Sequence, residues 1–308
     1  MTAPPSAETA ATPEHHGPAP VRRSAVRRTG LARGTALALG ASASNQIGAG
    51  LGALAFPAIG PLGVVAVRQL VAVAVLTPLG RPRLRGISWA DRRLILALGL
   101  IFSVMNATLY LAIERIGLGL AITLEFLGPL VLAVVASRRL LDLLCGLLAA
   151  VGVVVLVAPG PSTDLLGIAL GLVAAASWAS YVLLNRSLGR RLPGVRGAAG
   201  ASVVSAVIWI PFGAAWFIAH PPPLWALALA AACGLLASAL PFAVDMIALR
   251  SLPTGLFSTL QSMHPVWAAV AGLVILQQVL TPREWLGIGL IVLSNAAVTS
   301  AGLLRRQG

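Results

Sequence analysis

Residues Ala112 to Pro129 read AIERIGLGLAITLEFLGP, and residues Ala248 to Pro265 read ALRSLPTGLFSTLQSMHP. Shifted by a constant 136 positions, without a gap, the two stretches coincide at Ala112/Ala248, Gly119/Gly255, Thr123/Thr259, Leu124/Leu260 and Pro129/Pro265. The chain therefore reads as two related halves. Each copy sets a polar residue four positions ahead of a proline in an apolar run, Glu125 before Pro129 and Gln261 before Pro265. Proline has no N–H to bond the carbonyl four residues back, so each half frees the carbonyl of its own polar residue and marks a helix break there. Paired interruptions at corresponding places in two halves point to a transporter's binding site.

Composition places the chain in a membrane. Hydrophobic residues make up 58% and charged residues 10%, with a mean hydropathy of +0.91, where a soluble domain carries about a quarter charged residues. All 22 basic residues are arginine, which fits biased codon usage and carries no mechanistic weight. A net charge of +13 does not make nucleic acid a partner, because the arginines lie in short loops between apolar runs instead of on one face among aromatic residues. Cys145 and Cys233 fall inside expected spans and read as buried, inert thiols, with neither a disulfide framework nor metal-ligand spacing. No metal or cofactor is expected.

Runs of about 20 apolar residues mark ten membrane-spanning helices. They cover Gly34 to Ala55, Leu62 to Leu79, Leu94 to Ala112, Gly117 to Ser137, Leu140 to Ala158, Leu165 to Asn185, Ala198 to Ala219, Leu224 to Ala248, Thr254 to Leu276 and Trp285 to Leu303. Continuous runs exclude barrel strands, which alternate. Cytoplasmic loops are enriched in arginine. Nineteen arginines fall on one side, against only Arg115 and Arg283 on the other, which puts both termini in the cytoplasm. Five spans per half is an odd number, so the second repeat is inverted relative to the first, as in many secondary transporters.

Residues 1–31 read as a disordered cytoplasmic tail, residues 32–158 as the first repeat and residues 165–303 as the second. His15 and His16 in the tail read as a solvated pair ahead of a metal site. Ala41-Ser42-Ala43 mimics a signal-peptide cleavage site, but the apolar run continues to Phe56 and favours an uncleaved span.

Apart from Asp142 at the start of the fifth span, three formal charges remain within spans: Arg68, Glu125 and Asp245. Charges in a bilayer face a cavity or pair with one another. At about 1.5 Å per residue, Arg68 lies roughly 9 Å and Glu125 roughly 12 Å below the outer ends of their spans, so they can meet. They form either a permanent ion pair or a site in which Arg68 takes a substrate carboxylate and Glu125 takes an ammonium or a proton. Asp245 either reaches water or lines the inner mouth. His264, at the place of Gly128 in the first copy, is a proton carrier or a packing residue. Asn45, Gln46, Asn106, Trp178, Tyr181 and Asn185 bond between helices or contribute to the site. Trp178 and Tyr181 share a helix face and form an apolar or cation-accepting wall. Gly48 with Gly52, and Gly167 with Gly171, have the small-residue spacing of close helix packing, whether inside the chain or in a homodimer.

Together these residues resemble the drug/metabolite transporter superfamily, its EamA-type members, and within them the threonine/homoserine exporter group. The resembling stretches are GPLGVVAVRQ ending at Gln69, NATLYLAIERIGLGLAITLEFLGPL from Asn106, SRRLLD from Ser137, SWASYVLL from Ser177 and LPFAVDMIALRSLPTGLFSTLQSMHP from Leu240. The resemblance implies an all-α protein of the inner membrane, with ten helices in two inverted five-helix repeats. It also implies export of small amino acids or related metabolites in exchange for protons. Two departures stand out: relatives carry an acidic residue where this chain has His264, and Gly-Glu where it has Gln277-Gln278.

The resulting expectation is a secondary transporter for a small zwitterion, with Arg68 on the carboxylate, Glu125 as charge-bearing contact and proton site, Gln261 and His264 as polar contacts and Asp245 in the inner vestibule. A rival substrate class is cationic drugs or quaternary amines held by Glu125, Trp178 and Tyr181. An intramembrane protease is disfavoured because the chain has neither a His-Glu-x-x-His pair nor a second intramembrane aspartate. ATP-driven transport is disfavoured because a chain without lysine has no phosphate-binding loop. A non-catalytic scaffold leaves three intramembrane charges without a purpose.

Overall fold

Each apolar run contains helix, since a backbone in hydrocarbon has to satisfy its own N–H and C=O groups. The computed structural model describes residues 21–80, 88–136, 140–157, 164–189, 191, 196–241, 244, 247, 252 and 254–307. Asp245, Arg250, the pair His15 and His16, and the tail up to residue 20 lie outside the described residues. In chain order the helices are α1 (Val21–Leu54), α2 (Phe56–Gly80), α3 (Trp89–Ile116), α4 (Leu118–Glu125), α5 (Leu127–Ala136), α6 (Leu140–Val157), α7 (Leu165–Gly189), α8 (Arg196–Ala219), α9 (Leu224–Gly234), a π-helical turn π1 (Leu235–Ala239), α10 (Thr254–Gln261), α11 (His264–Leu276) and α12 (Pro282–Gln307).

Helix α1 starts at Val21, within the stretch read as tail. No proline follows Pro20 until Pro57, and arginine and alanine are good helix formers, so nothing local stops the helix from running past the apolar span. Four described helices are long and apolar enough to cross a membrane by length and composition: Phe56–Pro78, Trp89–Ile116, Leu165–Leu188 and Ala199–Ala219. Helix α3 shows how each is sided. Leu96, Leu100 and Val104 are exposed, while Ser103, Asn106 and Tyr110 face inward. Helix α2 bends at Gly60, whose φ is 68°, just ahead of Pro61, and the Trp216 indole on α8 donates to the Ile59 carbonyl at the bend, 2.9 Å away.

Side chains set the helix ends. Ser88 Oγ accepts from the Asp91 N–H at the start of α3, and Asp164 Oδ1 accepts from the Gly167 N–H at the start of α7, 2.8 Å. Thr281 and Glu284 form a reciprocal capping box ahead of α12. Gln278 Oε1 accepts the Leu118 N–H, 3.0 Å, capping α4. Gln278 is therefore a structural joint between α4 and the end of α11.

The helix pairings recur when the halves are exchanged. Helix α3 packs on α7 as α1 packs on α9 and π1, α3 packs on α8 as α2 packs on α9, and α7 packs on α4 and α5 as α1 packs on α10 and α11. Helices α2 and α8, and α6 and α12, pair with their own counterparts, and α4 of one broken span packs on α11 of the other. Both glycine pairs are used inside the chain. A Cβ on Gly48 would stand 2.7 Å from the Ala237 nitrogen and one on Gly52 2.9 Å from Cys233 Sγ, while Gly167 and Gly171 face Ile116 and Leu124.

Candidate functional site

The two breaks expected from the duplicated motif fall at matching places. Helix α4 ends at Glu125, with Phe126 as the turn before α5, and α10 ends at Gln261, with Ser262 and Met263 as the turn before α11. Pro129 and Pro265 follow within the next turn, where each removes the N–H that would have carried the helix through. Each break sets its polar side chain at the end of a half-helix, on the wall of one cavity of about 280 Å³.

Arg68, Asn106, Glu125, Trp178, Tyr181, Gln261 and His264 all line that cavity. Asp245 lies outside the described residues. Phe126 joins the aromatic wall: Trp178 meets it edge-on at 4.4 Å between ring centroids, and His264 stacks on it at 5.3 Å. Tyr181 lies 6.1 Å from Phe102. Asn106 donates Nδ2–H to the Phe102 carbonyl, 2.8 Å.

Arg68 and Glu125 share the cavity without forming an ion pair, which corrects the permanent-pair reading. Among the described residues the ion pairs are Arg115 with Asp164 and Arg191 with Asp91. The reason is a stronger local claim on the guanidinium. Arg68 Nε donates to Ser238 Oγ at 3.0 Å and Nη2 to the Ala237 carbonyl at 3.2 Å, with the guanidinium carbon 5.2 Å from the Tyr110 ring centre. A π turn bonds five residues along instead of four, and in π1 the carbonyls of Leu236 and Ala237 accept side-chain donors, Ser44 and Arg68. Glu125 is 6% exposed, and its carboxylate has no hydrogen-bond partner among the described residues. The cavity thus carries an anchored guanidinium and a carboxyl group without a hydrogen-bond partner, with no ion pair between them.

His264 is bonded through both ring nitrogens, Nδ1 to Gln46 Nε2 at 2.9 Å and Nε2 to Gln261 Oε1 at 3.2 Å. Its counterpart Gly128 faces no cavity: a Cβ there would run into the Ala175 carbonyl of α7. Close helix contact fixes glycine in the first copy, and an open wall admits histidine in the second.

Sequence reasoning passed over Tyr110, Ser238 and Phe126, and left Gln46 between an interhelical bond and a part in the site. Tyr110 was detectable, because it follows Asn106 by one helical turn. Its hydroxyl lies 2.9 Å from Cys233 Sγ, so that thiol orients the ring beneath Arg68. Ser238 carried no signal, because its part depends on a π turn that no residue pattern announces.

With this geometry in place, the relatives are informative. Residues 165–300 match the EamA-like transporter family. The chain is 37% identical over 265 residues to the threonine/homoserine exporter RhtA of Escherichia coli K12, covering 84% of this chain and 88% of the relative. It is 36% identical over 273 residues to the threonine/homoserine exporter RhtA of Salmonella typhimurium SL1344, covering 87% and 90%. It is 25% identical over 142 residues to the uncharacterized transporter YwfM of Bacillus subtilis 168, covering 45% and 47%. A crystal structure of a protein 19% identical overlays with a TM-score of 0.53 across 93% of this chain and 98% of its own, a likeness that shows fold alone.

Proposed function

Because the chain belongs to the EamA-like transporter family, we propose that it is a multi-pass inner-membrane secondary transporter that exports a small amino acid of the threonine or homoserine kind. The observation that carries the reading is the cavity itself, lined both by the anchored Arg68 and by Glu125, whose carboxyl group has no hydrogen-bond partner. A zwitterion presents the matching pair of opposite charges. Arg68 orients the carboxylate, Glu125 holds the ammonium or a proton, and Gln261 and His264 complete the polar rim.

The architecture that goes with it is ten spans in two inverted five-helix repeats, residues 32–158 and 165–303, with both termini in the cytoplasm. The exchange-symmetric helix pairings support the pseudo-twofold, and the arginine bias of the loops supports the inversion. The halves rock about the cavity so that it opens to one side and then the other. A proton entering from outside displaces the ammonium from Glu125, which makes export proton-coupled. Vesicles containing the protein and loaded with threonine or homoserine should release it when the pH gradient is imposed. Release at the rate of protein-free vesicles, for these and other small amino acids, refutes the reading.

The aromatic wall of Phe126, Trp178 and Tyr181 beside Glu125 favours a second reading, efflux of cationic drugs or quaternary amines. Arg68 in the same cavity opposes it by charge. Zwitterions compete for transport under the first reading and lipophilic cations under the second.

A further inference from the structure

Gln46 on α1 lines the cavity and is 2% exposed. The two ends of its amide have unequal fates: Nε2 sits 2.9 Å from His264 Nδ1, while Oε1 is buried without a partner. An amide nitrogen only donates, so Nδ1 accepts. The imidazole proton then sits on Nε2, which donates to Gln261 Oε1 at 3.2 Å. Gln261 fixes the ring, the ring fixes the amide, and the amide is left offering an acceptor.

A buried acceptor without a donor is costly, and this one shares its cavity with the Glu125 carboxylate, a second acceptor that lacks a donor. Two such acceptors on one cavity call for a ligand group with several N–H donors. We propose that Gln46 Oε1 is a substrate-binding acceptor for a primary ammonium group, held jointly with Glu125, and that His264, neutral and protonated on Nε2, is the positioning residue that orients it. The proposal rests on the zwitterion reading above and deepens it by assigning the ammonium subsite.

A second proton on His264 reverses the relay. Nδ1–H then faces the amide NH2, the amide turns over to offer Oε1 to the ring, and the cavity meets N–H donors instead of an acceptor. The charged and titratable side chains around His264 are Glu125 on α4, Arg68 on α2, Tyr110 on α3 and Tyr181 on α7, with Cys233 of α9 behind Tyr110. None of the four cavity groups replaces the lost acceptor except Glu125.

The test measures Kd by calorimetry on the full chain in lipid nanodiscs with three probes. Threonine has both charges, threoninol keeps the ammonium without the carboxylate, and 2,3-dihydroxybutanoate keeps the carboxylate without the ammonium. Gln46→Leu should weaken threonine and threoninol roughly tenfold or more and leave dihydroxybutanoate within about twofold. Gln46→Glu, which retains an acceptor, should hold both ammonium probes within about threefold of the unaltered protein. His264→Leu should reproduce the selective loss and leave only that part of the decline in threonine affinity on acidification that protonation of Glu125 causes; it decides the matter if Gln46→Leu does not fold. Equal losses for all three probes, no loss, or an unaltered protein that binds neither ammonium probe overturns the proposal. If the unaltered protein binds threoninol but not threonine, and Gln46→Leu abolishes it, the zwitterion reading fails while the ammonium subsite stands.

Discussion

Glu125 and Arg68 have different tolerances because their surroundings differ. The carboxylate has no partner of its own to lose, so Glu125→Gln leaves the fold intact while removing the charge. In vesicles it should cut pH-driven release of threonine by roughly ten- to a hundredfold, about what loss of one charge-assisted contact of 1.5–3 kcal/mol implies. Arg68 already serves Ser238 Oγ and the Ala237 carbonyl, and its fork has donors left for a carboxylate. Lysine concentrates its charge at one point and lacks that fork, so Arg68→Lys should raise KM roughly tenfold with a smaller change in maximal rate, measured in the same vesicles. Both residues were legible in the sequence, because a charge in an apolar run is conspicuous. What Arg68 touches was only half legible: Pro241 has no N–H for the Ala237 carbonyl four residues back and leaves that oxygen open, but nothing in the sequence names Arg68 as its donor.

The interrupted helices are the parts that move in an alternating transporter, and their ends are held by identifiable groups. Pro129→Ala restores an N–H able to reach the Glu125 carbonyl, so α4 and α5 can fuse into one straight helix. The expected result is slower transport with an unchanged or higher melting temperature, read by vesicle flux and scanning fluorimetry. Gln278 caps α4 from across the halves. Gln278→Ala should cost about 1 kcal/mol, the usual worth of a lost N-cap, and Gln278→Glu should not, because a carboxylate also accepts and favours a helix N-terminus. The breaks were readable from the paired prolines. The π turn at Leu235–Ala239 was not, because LLASA at those positions is ordinary helix-forming sequence and only packing against Gly48 and Arg68 marks it out.

Across the whole chain, the halves meet through α4 with α11, α2 with α8 and α6 with α12, and one ion pair at the rim ties α3 to α7, Arg115 Nε to Asp164 Oδ2 at 3.0 Å. The Gly167 N–H and then Arg115 hold the Asp164 carboxyl below the usual carboxylate range. A depressed native value means that its stabilisation is present above the unfolded carboxylate value, about pH 4, and fades as pH falls through the lower native one. Asp164→Asn should therefore lower the melting temperature slightly at pH 7 and by less as the pH falls below the unfolded value, as scanning fluorimetry can check. The matched motifs were readable in the sequence, but the difference between them acquired a cause only from the structure: Gly128 is pressed against the α7 backbone whereas His264 faces open space. An empty carrier built from identical lobes would dwell equally long open to each face of the bilayer. With the proposed histidine relay in one half alone, the empty form should favour one face. With no gradient imposed, half-saturation for entry and for exit should differ, while microscopic reversibility keeps the ratio of maximal rate to half-saturation the same in both directions.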